Sequence, residues 1–190
     1  MLKELILKNR SYRRFFEDKI IDKTVLLELV DLARLSASAR NAQPLKYILS
    51  FDTEKNNKIF PTLAWAAYLP EWDGPEKGER PSAYIIMLGD TSITNNYFCD
   101  HGIAAQSILL GAIEKGFGGC IIASINREKL RLVLQIPEQF EIIQVIALGK
   151  PKETVILEEL SPGGDIKYWR DNKQFHHVPK RTLNELILKL

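Results

Sequence analysis

The chain has 190 residues, 45% hydrophobic and 26% charged, proportions of an ordinary globular protein and of a length that suits one domain with an arm or flap. A formal net charge of +2 gives no ground for a nucleic-acid or membrane-surface partner. Two cysteines, Cys99 and Cys120, make neither a CxxC pair nor a disulfide framework, and their apolar surroundings suit small buried thiols.

The N-terminus, Met1-Leu2-Lys3-Glu4-Leu5, alternates charge with leucine and lacks the apolar region of a signal peptide, so a cytoplasmic, reducing setting is expected. Residues 2–9 predict a short amphipathic helix. Arg10-Ser11-Tyr12-Arg13-Arg14-Phe15 follows. Guanidinium forks and a serine hydroxyl suit phosphate oxygens, although a solvated basic loop has the same composition. Asp22 is placed to cap a helix from Lys23 to Leu35 whose apolar face is Val25, Leu26, Leu29, Val30, Leu32 and Ala33. Ser36 to Pro44 reads as a loop. Its Ser38, Asn41 and Gln43 can bond a heteroaromatic edge, or it can simply connect a helix to a strand.

Tyr47 to Phe51 predicts a strand and Glu54 to Phe60 a weak helix. An aromatic segment from Leu63 to Leu69 runs into a Pro- and Gly-rich stretch ending at Pro81, the composition of a lid or binding loop. Trp65, Tyr68 and Trp72 can wall a flat ligand or anchor the core. Ala83 to Gly89 is apolar throughout, as in a central strand.

From Asn96 to Lys115 the sequence predicts a helix of roughly 30 Å, capped by Asn95 or Asn96 and ended by Gly116. Its uncharged stretch, Gly102 to Ile113, has small and apolar residues all round, which implies burial all round but is too short for a bilayer. The Gly-rich exit leads to a strand from Cys120 to Ile125. Asn126 then caps a helix to Leu134, and Ile142 to Gly149 is a second buried strand. Residues 161–180 read as irregular, and Thr182 to Leu190 as a final amphipathic helix. No composition break marks a second domain, so residues 1–190 are read as one.

No GxSxG, GxxxxGK[ST] or HExxH motif is present. Gly116-Phe117-Gly118-Gly119 follows a helix and precedes a strand, the reverse of a Rossmann turn. Adjacent His176 and His177 point to opposite faces of an extended chain and have no partner at ligand spacing, so no metal is expected. His101 reads as a core or interface histidine. Cations near both ends, with no nucleophile, suit a protein whose chemistry belongs to a bound cofactor.

Arg10 to Phe15, Ser38 to Pro44, Gly116 to Cys120, Ala147 to Pro151 and Pro179-Lys180-Arg181, in that order, resemble the nitroreductase family. The resemblance implies an α+β fold with a mixed, mainly antiparallel sheet packed by helices. It implies a homodimer with the central helix in its interface, and FMN bound between the chains. It implies an oxidoreductase that takes hydride from NADH or NADPH and passes electrons to a nitroaromatic, a quinone or a similar flat acceptor in a ping-pong scheme, with no catalytic side chain beyond the flavin.

Carried onto this chain, Arg10 and Ser11 match positions near the phosphate and ribityl chain, and Arg13 a cation beside N1 and O2. A fixed cation there stabilises the negative charge that reduction places at that edge. Ser38 and Asn41 match the flavin-bonding loop, Asn41 toward the partner's cofactor. Ile122, Ala123 and Ser124 match the strand whose N–H groups approach N5, and Lys180 and Arg181 the cations that close the phosphate site. Asn9 stands where many members have arginine, and Ala37 where a proline is common. The segment Trp65 to Pro81 lacks the asparagine and lysine that usually hold the pyrimidine edge. A flavin-binding sensor or carrier without turnover, or a small-anion domain without flavin, is consistent with the same cations.

Overall fold

A computed structural model of the chain describes residues 1–188. Two strands dominate it, β3 (Ala83–Asp90) and β5 (Phe140–Pro151), paired antiparallel along nearly all of β3. Every residue of β3 is buried, as its unbroken apolar run requires of a strand covered on both faces. β2 (Leu45–Ser50) flanks β3, while β4 (Gly118–Ile122) and the two-residue β1 (Phe15–Phe16) pair with β5. All four of these pairings are antiparallel.

Side-chain alternation splits the core in two. Ile85, Met87, Ile146 and Leu148 face a layer made by α2 (Lys23–Leu35) and α4 (Asp100–Glu114). Tyr84, Ile86, Leu88, Val145 and Ala147 face the other way, toward Trp65 and Leu130. That layer includes α3 (Thr53–Ile59) and α5 (Arg127–Leu134). Helices on one sheet in this way make the expected α+β fold. α1 (Leu2–Lys8) precedes the sheet and lies against α4.

Two expectations need correction. α4 begins at Asp100, with Cys99 at the cap, not at Asn96. The Asn96 side chain accepts from the Phe98 N–H at 3.0 Å, and Phe98 takes φ +44°, so the chain turns where a helix was expected to start. The 15-residue helix is therefore about 22 Å long. Nor is it covered all round in one chain: Gly102, Ile103 and Gln106 are exposed. Cys99 is likewise exposed, whereas burial pushes the Cys120 thiol up to about 12.

The second correction concerns the C-terminal part. Beyond β5 the chain forms another sheet, β6 (Val155–Glu159), β7 (Trp169–Arg170) and β8 (His176–Lys180), with β8 in the middle, parallel to β6 and antiparallel to β7. Pro179 is tolerated because β7 pairs only with His176 and His177, leaving that side of β8 open further on. α6 (Leu183–Leu186) is a single turn closed by a Thr182–Glu185 capping box; the rest of the predicted final helix reaches residues outside those described. No helix among the described residues is long and apolar enough to cross a membrane.

Candidate functional site

The segment Arg10–Arg14 lies on the sheet because β4 opens with two glycines. Tyr12 donates its N–H to Gly119 O at 3.1 Å, and Ser11 bridges Gly119. A Cβ on Gly118 would stand 2.6 Å from the Tyr12 ring, and one on Gly119 2.8 Å from Leu148 Cδ2 and hard against Ala147 O. Glycine is needed here for close approach rather than for a turn.

That approach places Arg10, Ser11 and Arg13 in a pocket of ≈ 240 Å³ whose opposite wall comes from Val155, His176, Val178 and Lys180 of the C-terminal sheet and from Tyr168 just before β7. No described residue lining it is acidic. Arg10 Nη2 donates to Ile6 O at 2.7 Å, whereas its buried Nε has no partner. Arg13 Nη1 donates to Ser11 O at 3.2 Å, and its guanidinium stands 4.9 Å from the centre of the Tyr168 ring. Cations from both ends of the chain thus converge without neutralising carboxylates between them.

Behind the pocket lies Glu153, its side chain fully buried. Burial alone would raise its carboxyl, but His176, the Arg13 N–H and Arg170 act the other way and hold it below the usual range. It accepts from the backbone N–H groups of Arg13 and Arg14, the latter at 3.2 Å, and from Arg170 Nη2 at 3.1 Å. Arg170 in turn lies over the Trp72 ring at 4.1 Å.

The other expected site residues lie elsewhere in the single chain. Ser38 Oγ donates to Asp100 Oδ2 at 2.6 Å and accepts from the Gln43 N–H at 2.9 Å, and Ala39 N–H donates to Asp100 Oδ1 at 2.8 Å. The loop is thereby tied to the start of α4 and lines a different cavity, with Tyr47 and Asp100. Asn41 is exposed at the loop's tip, where Arg40, Asn41 and Gln43 all take positive φ between 52° and 56°. Such a run in side-chain-bearing residues is strained and needs an anchor, which the Asp100 carboxylate provides. Ile122 is buried, Ala123 and Ser124 are exposed, and Ser124 O accepts from Ala64 N–H at 2.9 Å. Arg181 is exposed and sits 3.3 Å from Glu185 rather than in the pocket lining.

Of the aromatic trio, Trp65 is a core anchor packed on Phe60 at 5.8 Å. Tyr68 and Trp72 rest on the C-terminal sheet, the former 5.0 Å from Tyr168. None of the three lines the cationic pocket.

Sequence reading missed Glu153, Tyr168 and His176. The apolar alternation of Val155 and Leu157 was the available signal for a strand. The fold gives the histidine pair carboxylate neighbours that sequence spacing did not show: His177 Nδ1 is 2.7 Å from Glu158 and its Nε2 3.4 Å from Asp171.

The nitroreductase family model matches residues 6–150, more than half of the chain, with three of the five motif segments and the fourth up to Lys150; Pro179-Lys180-Arg181 falls beyond it. A Bacillus subtilis protein named "Putative NAD(P)H nitroreductase MhqN" is 26% identical over 189 residues, covering 78% of this chain and 87% of that protein. A crystal structure of a nitroreductase family protein from Clostridium novyi NT superposes with a TM-score of 0.65 at 25% identity, over 80% of this chain and 87% of that one. One from Streptococcus pneumoniae TIGR4 covers 100% of both chains with a TM-score of 0.70 at 20% identity. The chain therefore belongs to the nitroreductase family of oxidoreductases, the family its five ordered motifs resemble.

Proposed function

We propose that residues 1–190 form one FMN-binding unit that works as a homodimer, passing electrons from NAD(P)H to nitroaromatic, quinone or similar flat acceptors in a ping-pong scheme. The observation that carries this reading is the convergence of Arg10, Ser11, Arg13 and Lys180 on one pocket without acidic lining. The orphaned Arg10 Nε is a buried donor in want of an acceptor, which a phosphate oxygen supplies.

The fit is good at the phosphate end and incomplete at the ring. A space of ≈ 240 Å³ is below the roughly 300–1,000 Å³ of whole small-molecule sites, so it suits the phosphate and adjoining chain. From Gly119, beside Ser11, β4 and its extension carry the chain roughly 10–17 Å to Ile122–Ser124 at about 3.3 Å per residue. The ring's seat lies in that direction. Asn41 belongs to the second chain's contribution, and the open face of α4 around Ile103 is the surface offered to that chain. Arg10, Ser11 and Lys180 bind the phosphate, Arg13 sets positive charge beside N1 and O2, and Arg181 reaches the phosphate by leaving Glu185. FMN, when bound, supplies the hydride and electron chemistry.

A second reading, a flavin carrier or sensor without turnover, is favoured by one observation: no residue from Trp65 to Pro81 lines the cationic pocket. Absorbance separates the two. The protein should be yellow, bleach anaerobically with NADH or NADPH, and recover colour with a quinone. Yellow protein that never bleaches leaves the carrier reading, and colourless protein that cannot be reconstituted with FMN overturns both.

A further inference from the structure

We propose that His176 is a ligand-binding residue of the cationic pocket, presented by the C-terminal sheet and oriented by the buried Glu153 carboxylate. The proposal rests on the reading of that pocket as the seat of a flavin nucleotide. It concerns a residue of β8, 26 positions beyond the end of the family match at residue 150.

Three observations carry it. His176 is 0% exposed, yet neither ring nitrogen has a hydrogen-bond partner among the described residues. Buried polar groups are almost always paired, so an orphaned imidazole marks a missing partner. His176 lines the same pocket as Arg10, Ser11, Arg13 and Lys180. Its surroundings favour one orientation: Nδ1 stands 3.7 Å from Glu153 Oε2, too far for a hydrogen bond, and the Tyr168 ring packs 5.1 Å away at 35°. With Nδ1 turned to Glu153, Nε2 on the far side of the ring is left for the ligand.

Glu153 is suited to orient the ring because it is itself immobilised by Arg13, Arg14 and Arg170. The carboxylate also joins the segment bearing Arg10 and Arg13 to the sheet bearing His176, so the two walls of the pocket are set together. The ligand atom that meets Nε2 is an oxygen of the polyol-phosphate chain. A hydroxyl satisfies either tautomer of the ring, and a phosphate oxygen accepts from a protonated Nε2.

The test uses the full chain, stripped of flavin and titrated with FMN and with riboflavin by fluorescence quenching. His176→Ala should weaken FMN binding about tenfold or more, the worth of one hydrogen bond. His176→Gln, whose amide reaches toward the place of Nε2, should recover part of the loss. An equal penalty with riboflavin assigns the contact to a hydroxyl, and a penalty with FMN alone assigns it to the phosphate. Binding by His176→Ala within about twofold of the unaltered chain overturns the proposal. Should that variant misfold, nitrogen-15 NMR of the unaltered chain decides: the His176 Nε2 resonance must move on FMN addition, and a resonance that stays put overturns the proposal. An unaltered chain that takes up neither flavin overturns the flavin reading and this proposal together.

Discussion

Glu153→Gln is the substitution that asks most of the structure. The side chain is wholly buried, and the Arg170 side chain paired with it is only 9% exposed. The glutamine oxygen can keep the N–H groups of Arg13 and Arg14, but its amide nitrogen then faces Arg170 Nη2 and His176, donor against cation. Removing one member of a buried pair leaves an uncompensated charge, at a cost of about 3–5 kcal/mol. Against a total stability of about 5–15 kcal/mol that is a large fraction. With an m-value of about 2 kcal/mol/M, the urea midpoint should fall by roughly 2 M with m unchanged. The measurement is equilibrium unfolding by circular dichroism at one fixed protein concentration, because dimerisation would couple to it.

The double variant Glu153→Gln/Arg170→Met supplies the control. It removes both charges while the glutamine oxygen keeps the Arg13 and Arg14 N–H groups, and it should recover most of the loss, since the uncompensated cation is gone. A loss below about 1 kcal/mol for Glu153→Gln, or a double variant no better than the single, would refute the view that this carboxylate is held by its ionic partners.

Two further outcomes follow from the geometry. Arg14 bonds Glu79 through Nε at 2.5 Å and Nη2 at 2.7 Å, and with Lys152 at 2.9 Å holds that carboxyl down to about 2, against an ordinary 4.5. A folded value below the unfolded one means the stabilisation is complete above pH 4.5 and drains away as pH falls toward about 2. Unfolding midpoints of the unaltered chain should therefore converge on those of Glu79→Gln across that window; a constant gap between them would contradict the linkage. Gly119→Ala should cost about 1–3 kcal/mol by overpacking, since the added carbon meets the Ala147 carbonyl, and should weaken FMN binding by moving Ser11 off β4. A variant with unchanged thermal midpoint and FMN affinity would show that the backbone yields there.

Much of the scaffold was legible because single local signals decided it. α2 runs from Lys23 to Leu35, as its periodicity implied, and Asn126 caps α5 by accepting the Lys129 N–H at 3.0 Å. The apolar runs at Ala83 and Ile142 became the central strands. What stayed hidden depended on contacts distant in sequence. Asn96 looked like a cap but spends its oxygen on Phe98. Ser38 looked available to a ligand but is bound to Asp100, 62 residues away. β7 and β8 were obscured by Pro162, Gly163, Gly164 and Pro179, and their order around β8 follows from register rather than composition. The meeting of Arg10 with Lys180 was reached through the family resemblance, since neither charge pattern alone distinguishes a phosphate site from a solvated face.

The two walls of the pocket differ in how they are held, and that difference bears on function. Both apolar core clusters draw their buried members from residues no later than Leu148. The sheet that follows is attached mainly by the ions at Glu153, by the Tyr168 contacts with Tyr68 and Arg13, and by Arg170 on Trp72. A part joined mainly through polar and aromatic contacts, with Tyr168 its one side chain packed against a main core cluster among the described residues, is expected to open at lower free energy than the scaffold beneath it. Arg10, Ser11 and Arg13 sit on the wall pinned to β4 by Gly119, while Lys180 and His176 sit on the wall attached through Glu153. A ligand bridging both walls would stabilise their joined arrangement by its own binding energy. The Trp65–Pro81 segment, anchored in the core by Trp65, also touches that wall through Tyr68 on Tyr168 and Trp72 under Arg170, so it ties the wall to the scaffold.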